Sequence, residues 1–174
     1  MIVVNFFGGP GSGKSTTAAQ LFAHLKLSQL NCELVTEFAK DLTWDGATNP
    51  LAYQPLVFGQ QTWRLERLRG KVDVVVTDSP LLLSLIYCHD TTPQPFHDYV
   101  KWEFDRDNNI NFLLLRHKPY SPVGRNQTEE QAVTVDYTIV SLLKRLGIPN
   151  TELTGDGSAP IKAFGIVMQR LAVA

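Results

Sequence analysis

Residues Gly8-Gly9-Pro10-Gly11-Ser12-Gly13-Lys14-Ser15 fit the pattern Gly-x-x-x-x-Gly-Lys-Ser/Thr, a turn that wraps nucleotide phosphates. Glycines let backbone N–H groups approach an anion closely, and the start of the following helix adds its dipole. Lys14 is placed to reach the β- and γ-phosphates, and Ser15 to ligate Mg²⁺ through its hydroxyl. With Thr16, these residues are the expected nucleotide contacts. The chemistry they suit is phosphoryl transfer.

Carboxylates complete such a site. Asp78 follows the apolar run VDVVVT and would face Mg²⁺ directly or through water, making Ser15 and Asp78 the metal pair. The competing reading is an acid capping the turn at Ser79-Pro80, and one carboxylate can serve both. Glu37, in VTEFAKDLTW, stands at a strand end and can accept the proton of an acceptor hydroxyl. Asp41 competes for that role, and a solvated loop acid is the plain alternative for Glu37.

Positive charge is clustered. Arg116 and Arg125 flank a Pro/Gly-rich stretch, RHKPYSPVGRNQ, suited to a lid over about 117–128 that neutralises the transferring phosphoryl group. Between Arg64 and Lys71 there are four basic residues and one acid. With Gln60 and Gln61 they read either as a solvated helix face or as an amide–guanidinium surface for a base or acceptor phosphate. Phe38, Trp44 and Tyr53 offer planes for a base, or simply pack beneath a loop.

The elements that must position these groups follow from hydrophobic patterning. Apolar runs predict strands at Ile2–Phe7, Cys32–Thr36, Val72–Thr77, Ile110–Leu115 and Pro149–Leu153. Helical spacing predicts helices over 15–27, 56–69, 81–87, 96–107, 128–146 and 160–172. Thr128 with Gln131 forms a capping-box signature, and residues 41–55 read as loop or short helices. Strands alternating with helices predict an α/β fold with a five-stranded parallel sheet covered on both faces. The expected organisation is a single domain, 1–174.

The chain has 174 residues, 44% of them hydrophobic and 19% charged, which excludes disorder as its main state. Sixteen basic against seventeen acidic residues give a net charge of −1, so a whole-surface footprint for nucleic acid is absent. Cys32 and Cys88 lack a CxxC partner and read as buried reduced thiols. No apolar run is long enough to span a membrane, and the start carries no secretory pattern, so no membrane partner and a cytoplasmic location are expected.

The order of Gly8–Ser15, Glu37, Asp78-Ser79-Pro80 and Arg116 to Arg125 resembles the phosphate-loop (Walker A) kinases of the nucleoside and nucleotide kinase group over nearly the whole chain. FFGGPGSGKSTTAA, VTEFAKDLTW, VDVVVTDSPLLL and KPYSPVGRNQTEEQA are further similar to small bacteriophage proteins of the kinase type, including 5-hydroxymethyluracil DNA kinases. The resemblance implies an ATP- and Mg²⁺-dependent kinase. Lys14, Glu37, Asp78, Arg116 and Arg125 are its catalytic set, and Phe38, Asp41, Trp44, Tyr53, Gln60 and Arg64 its acceptor side. The implied acceptor is the 5-hydroxymethyl group of 5-hydroxymethyl-deoxyuridine in phage DNA, with the host cytoplasm as the location. Alternatives are a free deoxynucleoside or nucleotide, and a nucleotide-driven switch or ATPase without small acceptor. One departure stands out: deoxynucleoside kinases commonly carry Asp-Arg-Ser after the third strand, whereas Asp78-Ser79-Pro80 stands here. The arginine's role then falls to Arg116 or Arg125.

Overall fold

The computed structural model describes residues 1–117, 119–121, 123 and 127–173. Ile2–Phe7, buried throughout, forms β1 at the centre of a five-stranded sheet. A strand apolar on both faces needs cover on both. Its neighbours are β3 (Val74–Thr77) and β4 (Asn108–Leu115), flanked outward by β2 (Cys32–Val35) and β5 (Thr151–Thr154). Every pairing is parallel and the order is β2-β3-β1-β4-β5. The helices between them are α1 (Lys14–Leu27), α2 (Phe38–Trp44), α3 (Thr48–Ala52), α4 (Gln54–Glu66), α5 (Gln94–Asp105), α6 (Glu129–Arg145) and α7 (Ala159–Ala172).

Alternation along β1 feeds two cores. Ile2, Val4 and Phe6 meet Leu21 and Leu25 of α1 and Ala163 and Val167 of α7, with Phe6 and Phe112 stacked at 5.4 Å. Val3 and Phe7 face the opposite layer, built from Phe58 and Leu65 of α4, Val100 and Phe104 of α5, and Ile139 and Leu143 of α6. Asn5 interrupts the apolar run yet is only 2% exposed. Its amide donates to Asn109 Oδ1 at 2.8 Å and Asn111 Oδ1 at 3.0 Å, and Asn111 donates on to the Pro149 carbonyl at 3.1 Å. Satisfied in this way, the buried amides tie β1 to β4 and pin the Asn5–Asn111 register.

Each predicted strand is present, β1 with the expected bounds and the other four with one or both ends moved by one or two residues. Residues 41–55 are mostly helical, as α2 and α3. The helix expected over 81–87 is a 3₁₀ turn, Leu81–Leu85, buried on the sheet. Helix α4 starts earlier than expected, because Pro55 sits in its first turn, where a missing N–H costs nothing. The Thr128–Gln131 capping box forms: Gln131 N–H donates to Thr128 Oγ1 at 3.3 Å, and Thr128 N–H to Gln131 Oε1 at 2.8 Å. Of the cysteines, Cys32 is buried, while Cys88 is half-buried and donates to the Ser84 carbonyl at 3.1 Å.

Candidate active site

The strand order brings the sequence-predicted residues together. Glu37 lies just past β2, Asp78 past β3, Gly8 past β1 and Arg116 past β4, all at the carboxyl edge of adjacent strands. That edge is where ligands sit in open parallel sheets. A cavity of about 490 Å³ opens there, floored by Pro10, Gly11 and Gly13–Thr16, and it extends past Glu37 toward Trp44, Gln61 and Tyr87.

The loop joins β1 to α1 under tight constraint. Gly13 precedes α1 at φ 103°, a left-handed conformation in which side-chain-bearing residues are strained. Gly9 packs so closely on α6 that an added Cβ would stand 2.6 Å from the Ala132 carbonyl oxygen and from Asp136 Oδ1. The Lys14 ammonium donates to the Gly8 and Gly9 carbonyls at 2.7 and 3.0 Å. Burial holds its pKa below the ordinary lysine value, against the carboxylates of Glu37, Asp78 and Asp136, which pull it up. Lys14 is thus a desolvated cation lining the cavity and favoured by three nearby carboxylates.

Burial likewise pushes the Glu37 carboxyl above the usual carboxylate range, opposed by Lys14 and reinforced by Asp78. A raised carboxyl pKa suits proton acceptance. Asp78 is 4% exposed, and its Oδ1 has no hydrogen-bond partner among the described residues. The turn after β3 is capped by Thr77, whose Oγ1 accepts from Ser79 N–H at 3.1 Å. The capping alternative for Asp78 therefore falls away. A buried carboxylate oxygen without a partner suits a cation, so Asp78 and, from the cavity-lining loop, Ser15 are the residues that would hold Mg²⁺.

The acceptor-side residues divide. Trp44 lines the cavity, whereas Phe38, Asp41, Tyr53, Gln60 and Arg64 are not among its lining residues. Asp41 is ion-paired with Arg64, which also donates to the Thr36 carbonyl at 3.0 Å and lies 5.3 Å over the Phe38 ring. These three hold α2 on α4. Tyr53 and Gln60 are exposed. Within the basic run, Arg69 is paired with Glu66, with Glu103 at 2.9 Å and with Asp107 at 2.8 Å, and Arg106 joins the cluster at Glu103, 2.8 Å away. Arg116 is fixed by Asp136, and Arg125 lies outside the described residues.

Sequence reasoning missed Asp136, Tyr87 and Lys40. The last two line the cavity beside Glu37, and burial together with the Glu37 and Asp136 charges pushes the Tyr87 phenol upward. Gln61, read from sequence as part of a helix face or of an acceptor surface, also lines the cavity. It accepts from Phe38 N–H at 3.0 Å and donates to the Thr36 carbonyl at 3.2 Å. No helix of the described residues is long and apolar enough to cross a membrane.

Two solved structures of the M. mycoides deoxyadenosine kinase share this fold. One, with the products dCMP and a flexible dCDP bound, aligns at a TM-score of 0.59 and 13% identity, covering 99% of this chain and 100% of that one. The other, with bound dATP, aligns at 0.58 and 14% identity, covering 97% and 98%. The architecture is that of the phosphate-loop NTPases. No curated protein matches the sequence. A family model described as an AAA domain matches residues 3–159, from β1 and its phosphate loop to the start of α7, and the chain belongs to that family.

Proposed function

We propose that the chain is an ATP-dependent kinase that transfers the γ-phosphoryl group to a hydroxyl of a nucleoside-type acceptor. The observation that carries this reading is the placement of Glu37 across the cavity floor from Lys14, its carboxyl pushed up by burial. An ATPase also uses a carboxylate, to activate water, so what favours a kinase is the chamber that continues beyond the phosphate loop to Trp44 and Tyr87, with room for an acceptor larger than water. The proton of such a hydroxyl must leave as the phosphorus–oxygen bond forms, and Glu37 lines the cavity where a base would take it. Lys14, and Mg²⁺ held by Ser15 and Asp78, would neutralise the phosphates, leaving Glu37 to orient and deprotonate the acceptor.

The acceptor named by motif resemblance is the 5-hydroxymethyl group of 5-hydroxymethyl-deoxyuridine in phage DNA, with the base swung into the Trp44–Tyr87 end of the cavity. A free deoxynucleoside is the second reading. The pairing of Arg64, Arg69 and Arg106 with acids favours it, because those guanidiniums are not available to DNA phosphates. The likeness in fold to a deoxyadenosine kinase agrees with both. The test is label transfer from γ-labelled ATP, scanned over hydroxymethylated DNA, unmodified DNA and free deoxynucleosides. Label in hydroxymethylated DNA alone supports the first acceptor, and label in a deoxynucleoside the second. Label in inorganic phosphate alone contradicts the kinase reading.

A further inference from the structure

Asp136, midway along α6, holds two parts of the site at once. Its Oδ1 accepts from Gly9 N–H at 2.6 Å, and its Oδ2 accepts from Arg116 Nε at 3.0 Å and Nη2 at 2.8 Å. Those bonds use one edge of the guanidinium. The remaining nitrogen, Nη1, is buried and has no hydrogen-bond partner among the described residues. It lies over the phosphate loop, since a Cβ added to Gly11 would stand 3.1 Å from it. Leaving a buried cationic N–H without an acceptor is costly, so its retention points to an acceptor that arrives with a ligand. Gly11 and Lys14 line the adjoining cavity, and a phosphate oxygen is the acceptor such a place receives.

We propose that Asp136 is a positioning residue that locks Arg116 to the phosphate loop and presents its Nη1 to a phosphate of the bound nucleotide. The inference rests on the phosphate loop binding a nucleotide, as proposed above. A guanidinium is planar, so fixing Nε and Nη2 also fixes where Nη1 points. The same carboxylate tethers Gly9, which makes loop and arginine one body. The ordering cost of that arginine is then met on folding rather than on binding. Asp136 also offsets the repulsion between Arg116 and Lys14, whose ammonium it favours while Arg116 disfavours it.

The test is the affinity of the whole chain for Mg²⁺·ATP, measured by calorimetry on wild type, Arg116→Ala, Asp136→Asn and the double variant. Each single variant is expected to bind about tenfold more weakly, the scale of one charge-assisted hydrogen bond. The double variant is expected to bind no more weakly than Arg116→Ala, because Asp136 acts through Arg116. Arg116→Lys leaves the Asp136–Gly9 bond in place and decides the matter should Asp136→Asn not fold. It keeps the charge but lacks the fork, and is expected to lose affinity on the same scale. Losses that multiply in the double variant, or wild-type affinity in Asp136→Asn or Arg116→Lys, overturn the inference while the nucleotide site stands. Absence of ATP binding by the wild-type chain overturns the nucleotide site, and this inference with it.

Discussion

The side-chain amide of Gln61 is hydrogen-bonded to the backbone N–H of Phe38 at 3.0 Å and, through its other end, to the Thr36 carbonyl at 3.2 Å. One buried residue of α4 thus brackets Glu37 on both sides. The backbone carrying the proposed base is set by a packed helix, not by the loop it stands in. Gln61→Leu keeps the bulk and removes both bonds, leaving the Phe38 N–H without this acceptor. The expected cost is about 1–3 kcal/mol of folding stability, read by urea denaturation. Turnover should fall with ATP affinity unchanged, since only the acceptor side is disturbed.

Glu37 itself carries a pH signature. Burial raises its folded-state pKa above that of the unfolded chain, so the native state binds more protons between those two values. Native stability contributed by this group is present at low pH and lost as pH rises through the folded pKa. Glu37→Gln removes that loss, and the variant should be more stable than wild type near neutral pH. The difference should shrink as pH falls into the ordinary glutamate range. Denaturation curves at several pH values check this, and a gap independent of pH would count against a desolvated carboxylate.

Lys14→Ala deletes the cation that the loop directs at the phosphates. Phosphoryl transfer should drop by about two to three orders of magnitude, the scale seen when one electrostatic stabiliser is removed. Circular dichroism and melting should show an intact fold, because the deleted ammonium is itself disfavoured by burial. Near-normal turnover in a folded variant would show that the loop does not do the chemistry.

Much of this site was legible in the sequence because its pieces are contiguous. The phosphate loop is one run of residues, and Asp78 and Glu37 each end an apolar strand whose type is plain from its pattern. Sheet order then brings them together. What stayed hidden comes from single side chains: Asp136 on α6 and Tyr87 just past the 3₁₀ turn each reach the site from a segment whose own pattern speaks of packing. The basic run, read as a solvated helix face or an acceptor surface, shows a related limit. Its partners Glu103 and Asp107 lie 34 and 38 residues from Arg69, and no local count of charge can include them.

The Arg69–Glu103 pair makes that correction testable. Glu103 is 1% exposed and binds Arg69 and Arg106 together. Removing the Glu103 charge takes one partner from Arg69, which keeps Asp107 and Glu66, and one from the partly exposed Arg106, at about 1–3 kcal/mol. Glu103→Gln should therefore lower stability on that scale, seen as a fall in the denaturation midpoint. KM values for ATP and acceptor should stay at wild type, because the cluster holds α4 to α5 and touches no substrate. A changed acceptor KM in the folded variant would return these arginines to the acceptor side.

The central claim is that Glu37 serves an acceptor hydroxyl opposite the phosphate loop. The most direct measurement follows γ-labelled phosphate from ATP into acceptor and into water, in wild type and in Glu37→Gln. Wild type should place the label on a nucleoside-type hydroxyl. Glu37→Gln should reduce that transfer about 10²-fold with ATP affinity nearly unchanged, the contribution typical of one positioned base. Transfer at the wild-type rate in Glu37→Gln, or label from the wild-type chain found only in inorganic phosphate, would contradict the account.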